Sequence, residues 1–148
     1  MTREGSDGVV IVRRTIPVAR ERVFDAWLDP LSVASWMCPG PVASATAEID
    51  PRVGGKFRIV MRHPNGAADH TGEYLSINRP TKLEFTWRSA ATNGEPSIVT
   101  VEFFERTGGT EVVLTHRLLP PRQLDPHRRG WDDIVQKLGA AVASGDRT

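Results

Sequence analysis

Hydrophobic and polar positions alternate through the middle of the chain with the two-residue period of β-strands. Between residues 42 and 117, short runs rich in β-branched and aromatic residues are separated by turn-forming Gly, Pro and Asn. A β-branched run at residues 9–16 ends at Pro17, which cannot donate a ladder hydrogen bond and therefore closes a first strand. These patterns predict seven antiparallel strands in meander order, at residues 9–16, 42–49, 56–62, 71–78, 81–88, 97–105 and 110–117.

Two short helices are predicted directly after the first strand. Between Pro17 and Pro30, an apolar stripe with helical period is formed by Val23, Phe24, Trp27 and Leu28. The pair Asp29-Pro30 has the pattern of an N-cap residue followed by a proline at the first helical position. This pair predicts a second helix that runs to about Trp36.

A longer helix is predicted near the end of the chain, from Asp125-Pro126 to Ser144, where Gly145 is placed to stop it. Its apolar stripe consists of Trp131, Ile134, Val135, Leu138 and Val142. The inner face of the sheet is the large apolar surface available to cover that stripe, so we expect the sheet to curl around the helix. The sequence therefore predicts one α+β domain with an ordered core at about residues 9–143 and frayed ends at 1–8 and 144–148.

Several short stretches, many of them around Gly and Trp, carry a family resemblance. They are residues 17–30, 35–36, 54–57, 72–75, 83–87, 109–112 and 130–131. With the order of the elements, these stretches resemble the START-like superfamily, also called SRPBCC, whose helix-grip fold is shared with the birch-pollen allergen. Within it, the chain is most similar to the family named for the activator of the ninety-kilodalton heat-shock protein's ATPase. The resemblance implies a curved seven-stranded antiparallel sheet around a long C-terminal helix, with an internal cavity and no cofactor.

Charge and composition narrow the classes of partner. Lysine and arginine number 19 against 18 aspartate and glutamate residues, so no basic stripe is available to neutralise phosphates, and we expect no nucleic-acid binding. The first eight residues lack the apolar segment of a signal peptide, and the apolar run 9–12 is too short to span a bilayer. With only one cysteine, Cys38, no disulfide can form within the chain, and a cytoplasmic location without membrane insertion is expected.

Few residues are candidates for chemistry. Cys38 lacks a catalytic signature around it, and the four histidines and this cysteine lack the spacing of metal ligands, so neither a metal nor a catalytic residue is assigned. His63 and His127 are expected to be exposed. His116 shares strand parity with Val112 and Leu114 and is therefore expected inside, either as a satisfied core histidine or as a polar anchor for a ligand.

The predicted interior has the composition of a ligand pocket, which typically has a volume of roughly 300–1,000 Å³. Glu73 shares parity with Leu75 and Ile77 and would point inward, unless a bulge near Gly72 exchanges it with Tyr74; the sequence leaves this open. The predicted ligand-binding residues are Trp36, Phe57, Ile59, Met61, Glu73, Tyr74, Phe85, Trp87, Val101, Phe103, His116, Trp131, Val135 and Leu138.

Three functions are compatible with these expectations. The leading hypothesis is binding of a small hydrophobic or aromatic ligand between the sheet and the terminal helix. One alternative is an enzyme similar to polyketide cyclases and hydrolases, in which the fold shapes a flexible substrate and polar groups move protons. The other is a stress-related interaction module that regulates a chaperone partner, which a chaperone-ATPase assay would separate from the first two.

Overall fold

The computed structural model describes residues 9–145. Of the predicted frayed ends at 1–8 and 144–148, residues 1–8 and 146–148 lie outside this part of the chain, whereas residues 144–145 belong to the last helix. The elements follow in the order β1 (Val10–Ile16), α1 (Arg20–Ala26), α2 (Pro30–Trp36), β2 (Ser44–Ile49), β3 (Lys56–His63), β4 (Gly66–Asn78), β5 (Lys82–Trp87), β6 (Ser97–Arg106), β7 (Gly109–Arg117) and α3 (Leu124–Gly145). Short 3₁₀ turns at Ala90–Thr92 and Pro121–Gln123 precede β6 and α3. The predicted order of strands and helices is confirmed.

The seven strands form one antiparallel sheet in the order β1-β7-β6-β5-β4-β3-β2. Strands β1 and β2 are consecutive in sequence but lie at opposite edges, so α1 and α2 carry the chain across the open side of the sheet. Helix α3 contacts β1, α1 and α2, while α2 also contacts β2. The sheet therefore curls as a half-barrel around α3, which is the predicted helix-grip fold.

The two short helices begin and pack as their sequences indicate. The Asp29 side chain accepts a hydrogen bond from the Leu31 backbone N–H at 3.0 Å, which caps α2 with Pro30 as its first residue. The Trp27 and Trp36 rings meet edge to face with their centroids 4.9 Å apart. This contact joins the end of α1 to α2 and brings both tryptophans into the core.

The inner face of the sheet is built from alternate residues of each central strand. Buried side chains follow the predicted parity in β3, β5, β6 and β7: Phe57, Ile59 and Met61; Leu83, Phe85 and Trp87; Val99, Val101 and Phe103; and Val112, Leu114 and His116. The α3 stripe faces them, and Trp131, Ile134, Val135, Leu138 and Val142 are all buried. Among the described residues, no helix is both long and apolar enough to cross a membrane.

Strand β4 departs from its predicted bounds and parity. It begins at Gly66, because β3 and β4 pair as far as His63 opposite Gly66. Tyr74 then pairs with Phe85 and Ser76 with Glu84, so Leu75 is an extra residue on β4. This bulge puts both Tyr74 and Ile77 on the inner side, and Leu75 is 41% exposed.

The bulge decides the alternative that the sequence left open. Glu73 is opposite Lys56 and half-buried, and its backbone N–H donates to the Thr86 hydroxyl at 2.9 Å. Of the two alternatives, an inward Glu73 is therefore excluded, because the parity of Leu75 and Ile77 does not extend back across the bulge. Tyr74 takes the inward position.

Candidate ligand-binding site

Aromatic rings fill much of the interior between the sheet and α2. The Phe57 ring lies 5.3 Å from Phe85 and 5.5 Å from Tyr74, measured between centroids. Gly72 allows this packing, because a Cβ atom built there would lie 2.3 Å from the Phe57 ring and 2.0 Å from the Thr86 carbonyl oxygen. The close-packed rings leave little empty space beside them.

A small inner hollow of about 20 Å³ remains among these rings. Its size suits about one water molecule. The expected cavity of drug-molecule size is therefore not preformed, because the aromatic side chains occupy it. The indole N–H of Trp27 is buried with no hydrogen-bond partner among the described residues. The hollow is lined by Trp27, Val33, Met37, Ile49, Phe57, Ile59, Tyr74, Phe85 and Trp87.

A larger outer hollow of about 150 Å³ lies between the first turns of α3, strands β3 to β5 and the loop after α2. Trp87 lines both hollows. The Trp87 and Trp131 rings lie 5.1 Å apart, and the His70 ring lies 4.9 Å from Trp87. The outer hollow is lined by Pro39, Met61, His70, Trp87, Gln123, Pro126, His127, Gly130, Trp131 and Ile134.

A buried hydrogen-bond chain supports the rings of the outer hollow. The Trp131 indole N–H donates to Nδ1 of His116 at 2.9 Å, and an indole nitrogen can only donate. The neutral His116 proton is therefore on Nε2, which donates to the Ser97 hydroxyl at 2.7 Å. The Ser97 hydroxyl donates in turn to the Trp87 carbonyl at 2.7 Å. Trp131 and the end of β5 are thus held in fixed relative positions.

This network keeps His116 uncharged. Burial lowers the pKa of His116 from 6.5 to about 3, and the nearby His127 lowers it further in the same direction. A second proton would also have to occupy Nδ1, where Trp131 already donates. Of its two predicted states, His116 is the satisfied core histidine.

Two further histidines line the outer hollow, and neither was among the predicted site residues. His127 is half-buried, with its ring centroid 5.3 Å from His116, so its expected exposure is wrong. His127 precedes Trp131 by one helical turn, which is the sequence signal that places it on the same face. His70 shares the parity of Tyr74, a signal that becomes visible only when β4 begins at Gly66.

The loop after α2 is fastened to α3 over the outer hollow. The Gly40 backbone N–H donates to the Asp133 carboxylate at 2.7 Å, and Lys137 donates to the Cys38 carbonyl. The Gly40 N–H and Lys137 lower the pKa of Asp133, while burial raises the pKa of the Cys38 thiol. Pro39, between these two attachments, covers Gly130.

A comparison of sequences assigns the family. The sequence model of the family described as activator of Hsp90 ATPase homolog 1-like protein matches residues 17–143. The chain belongs to this family. The match spans all three helices nearly completely, together with β2 to β7. A search of curated proteins found no match.

Several solved structures have the same fold as this chain. A Chromobacterium violaceum protein is 22% identical, with a TM-score of 0.82 and coverage of 91% of this chain and 96% of its own. A Nitrosomonas europaea protein is 21% identical, with a TM-score of 0.82 and coverage of 97% and 99%. An Aeromonas hydrophila protein described as AHSA1-like is 24% identical, with a TM-score of 0.76 and coverage of 93% and 94%. At these identities the likeness shows the fold alone.

The structure divides the predicted site residues of this protein into four groups. Those that line one of the two hollows are Phe57, Ile59, Met61, Tyr74, Phe85, Trp87 and Trp131. His116 supports the outer hollow through Trp131. Those buried in the core away from both hollows are Trp36, Val101, Phe103, Val135 and Leu138.

The remaining predicted residue, Glu73, lines a separate open groove of about 800 Å³ on the outer face of the sheet. Its charged neighbours there include Glu48, Lys56, Arg58 and Arg88. Within residues 9–145, no cluster of three or more His, Cys, Asp or Glu side chains is arranged to hold a metal ion.

Proposed function

We propose that this protein binds a small hydrophobic or aromatic ligand in the outer hollow, between the sheet and the first turns of α3. Members of this fold commonly bind hydrophobic ligands. The observation that carries the proposal is the hollow itself, which brings Trp87, Trp131, Met61 and Ile134 around a volume of about 150 Å³. A cavity of roughly this volume holds one benzene-sized molecule.

A larger ligand would have to enter the space that the aromatic rings now fill. Trp87 lines both hollows, so a ligand that extended from one into the other would have to displace its ring. Met37 lines the inner hollow and Met61 the outer one, and both offer adjustable contacts because methionine side chains repack easily. The structure thus favours ligands of one aromatic ring, with larger ligands requiring rearrangement.

The test uses Gly130, which lines the outer hollow opposite Pro39. A Cβ atom at Gly130 would lie 3.8 Å from Pro39, in ordinary contact, whereas a leucine side chain would fill the hollow. In a toluene titration followed by ¹H–¹⁵N NMR, we expect shifts at the indole N–H signals of Trp87 and Trp131. Gly130→Leu should abolish these shifts, and the matched control Gly130→Ala should keep them.

Two outcomes would contradict the proposal. One is the absence of any toluene-dependent shift at the two indoles. The other is equal binding by Gly130→Leu and the parent protein, which would put the ligand elsewhere. A folded spectrum and a melting temperature no lower than the parent's for Gly130→Ala establish that the helix tolerates substitution at this position, since alanine favours a helix interior over glycine.

A further inference from the structure

The wall of the outer hollow contains few polar side chains. None of them is charged when the two histidines of the wall are neutral. They are His70, Gln123 and His127, set among the apolar residues that supply the rest of the lining. Among residues 9–145, no Lys, Arg, Asp or Glu side chain belongs to the lining. A charged ligand would therefore lose its hydration without gaining an opposite charge.

His127 presents a hydrogen-bond acceptor. Its Nδ1 lies 3.0 Å from the Gln123 carbonyl oxygen, and because a carbonyl only accepts, Nδ1 carries the proton. In the neutral ring Nε2 then has a lone pair, and within the described residues it makes no hydrogen bond. Burial lowers the pKa of His127, which favours this neutral ring over the imidazolium.

His70 adds a second imidazole whose polar groups are incompletely satisfied. The Nδ1 atom of His70 is buried and makes no hydrogen bond of normal geometry among the described residues. The nearby backbone carbonyls of Ile59 and Ala68 raise the pKa of His70. Burial has the larger influence and lowers that pKa, so His70 is also held neutral. His116 differs from both, because Trp131 and Ser97 already occupy its two nitrogens.

We propose that the ligand of the outer hollow is an uncharged single-ring phenol, whose ring lies against Trp87 and Trp131 and whose hydroxyl donates to Nε2 of His127. This inference rests on the proposed function and names its ligand class. A phenolic hydroxyl can donate one hydrogen bond and accept others, so His70 or Gln123 can act as its second partner. A carboxylate can only accept and would face the Nε2 lone pair, with no cation in the lining.

The experiment compares phenol, toluene and benzoate as probes by isothermal titration at neutral pH. We expect phenol to bind about three- to tenfold more tightly than toluene, the usual contribution of one hydrogen bond. Benzoate should bind more weakly than both. Equal affinities for phenol and toluene, or preferential binding of benzoate, would overturn the phenol assignment while leaving the proposed function intact. Binding of none of the three probes would overturn both.

Substitution of His127 gives the second arm. His127→Leu should retain toluene binding and reduce the phenol-to-toluene preference to about one, because Nε2 is the acceptor that distinguishes the probes. His127→Gln, which can supply an amide oxygen as acceptor, should retain part of the preference. His63→Leu, outside the lining at the end of β3, is the matched control and should behave as the parent. An unchanged preference in His127→Leu would exclude His127 as the hydroxyl's partner.

Discussion

The two halves of α3 meet the same sheet in different ways. At the closed end, defined by Ile16, Phe24, Phe103, Leu138 and Val142, the side chains are aliphatic or Phe and all are buried. The Phe24 and Phe103 rings touch edge to face at 5.1 Å. A Cβ atom at Gly139 would lie 3.4 Å from the Ile16 side chain, so the helix approaches β1 closely. Leu138 at this end is fully buried and lines neither the inner nor the outer hollow.

At the open end, defined by His70, Trp87, His116, His127 and Trp131, rings and polar groups surround the outer hollow. There the Trp131 indole donates a hydrogen bond to His116, whose other ring nitrogen is bonded to the Ser97 hydroxyl. The difference indicates that one half of the helix stabilises the fold and the other half shapes the site. Predictions that separate these roles test the comparison directly.

The largest expected effect is at the closed end. Leu138→Ala should lower the free energy of unfolding by about 2–5 kcal/mol, because a fully buried leucine loses its contacts and leaves a cavity. Ile134→Ala, one helical turn earlier, should cost about 1 kcal/mol less, because Ile134 borders the outer hollow and has fewer neighbours to lose. Urea denaturation of both variants measures the difference.

Enlarging Leu138 provides the control for this assignment. Leu138→Trp should overpack the closed end and cost about 1–3 kcal/mol or more, since Leu138 is fully buried and borders neither the inner nor the outer hollow. A Leu138→Trp variant as stable as the parent would show that the closed end contains space, and the division of α3 into two halves would be wrong.

The second prediction concerns acid stability at the open end. The folded protein holds the pKa of His116 at about 3, whereas an unfolded imidazole titrates near 6.5. Below pH 6.5 the unfolded state therefore binds a proton that the folded state does not, and stability falls with pH down to the folded pKa. The slope is about 1.4 kcal/mol per pH unit for one such group, and His70 and His127 act in the same direction.

His116→Gln isolates the contribution of one imidazole. A glutamine amide can accept from Trp131 and donate to Ser97 but does not titrate. Between about pH 5.5 and 4, the parent should lose about 2 kcal/mol more stability than the variant. Urea denaturation at these two pH values provides the measurement, and identical pH slopes for the two proteins would contradict a neutral buried His116.

The third prediction compares two buried tryptophans. Trp131→Phe removes the donor to Nδ1 of His116 and leaves a buried acceptor unsatisfied. Trp27→Phe removes an indole N–H that is buried without a partner among the described residues. Both changes remove the same atoms, so the hydrogen bond should make Trp131→Phe costlier by at least about 1 kcal/mol. Equal losses in thermal denaturation would show that the His116 network adds no stability.

Periodicity in the sequence was sufficient for the closed end and insufficient for the open end. The helical stripe that includes Leu138, and the alternation through Phe103, correctly predicted that both residues face inward, although both were also predicted to bind ligand and they line neither hollow. Alternation failed at Leu75, because one inserted residue reverses parity and has no signature in hydrophobicity. Cavity volume also could not be predicted, since it depends on how the rings of Phe57 and its neighbours fill the interior.

Histidine placement shows the same limit. His127 was expected outside because the first turn of a helix is usually exposed, although its spacing from Trp131 indicates a shared face. His70 was missed because β4 was expected to begin at residue 71, beyond a turn. In both cases a polar residue lay at an inward position, and its polarity led to the expectation that it would be exposed or in a turn. Such residues are the ones that distinguish a site from a core.

The smallest expected effect concerns the loop that covers the open end. Asp133 accepts from the Gly40 N–H at 2.7 Å and pairs with Lys137 at 3.3 Å, at a solvent-accessible position. Asp133→Ala should therefore change the free energy of unfolding by less than about 1 kcal/mol. Locally, however, Gly40 would lose its attachment, and its amide hydrogen exchange should accelerate about threefold as the loop opens more often.

Asp132 is exposed and lies one residue earlier on α3, so Asp132→Ala controls for the loss of a carboxylate on this helix. Its Gly40 exchange rate should match the parent. The Gly40 N–H lowers the pKa of Asp133, so the attachment is present above the ordinary carboxylate range and is lost as pH falls through that lowered pKa. After correction for intrinsic exchange, the difference between Asp133→Ala and the parent should therefore shrink in acid. Unchanged Gly40 exchange in Asp133→Ala, or equal acceleration in Asp132→Ala, would show that the loop over the open end is held by other contacts.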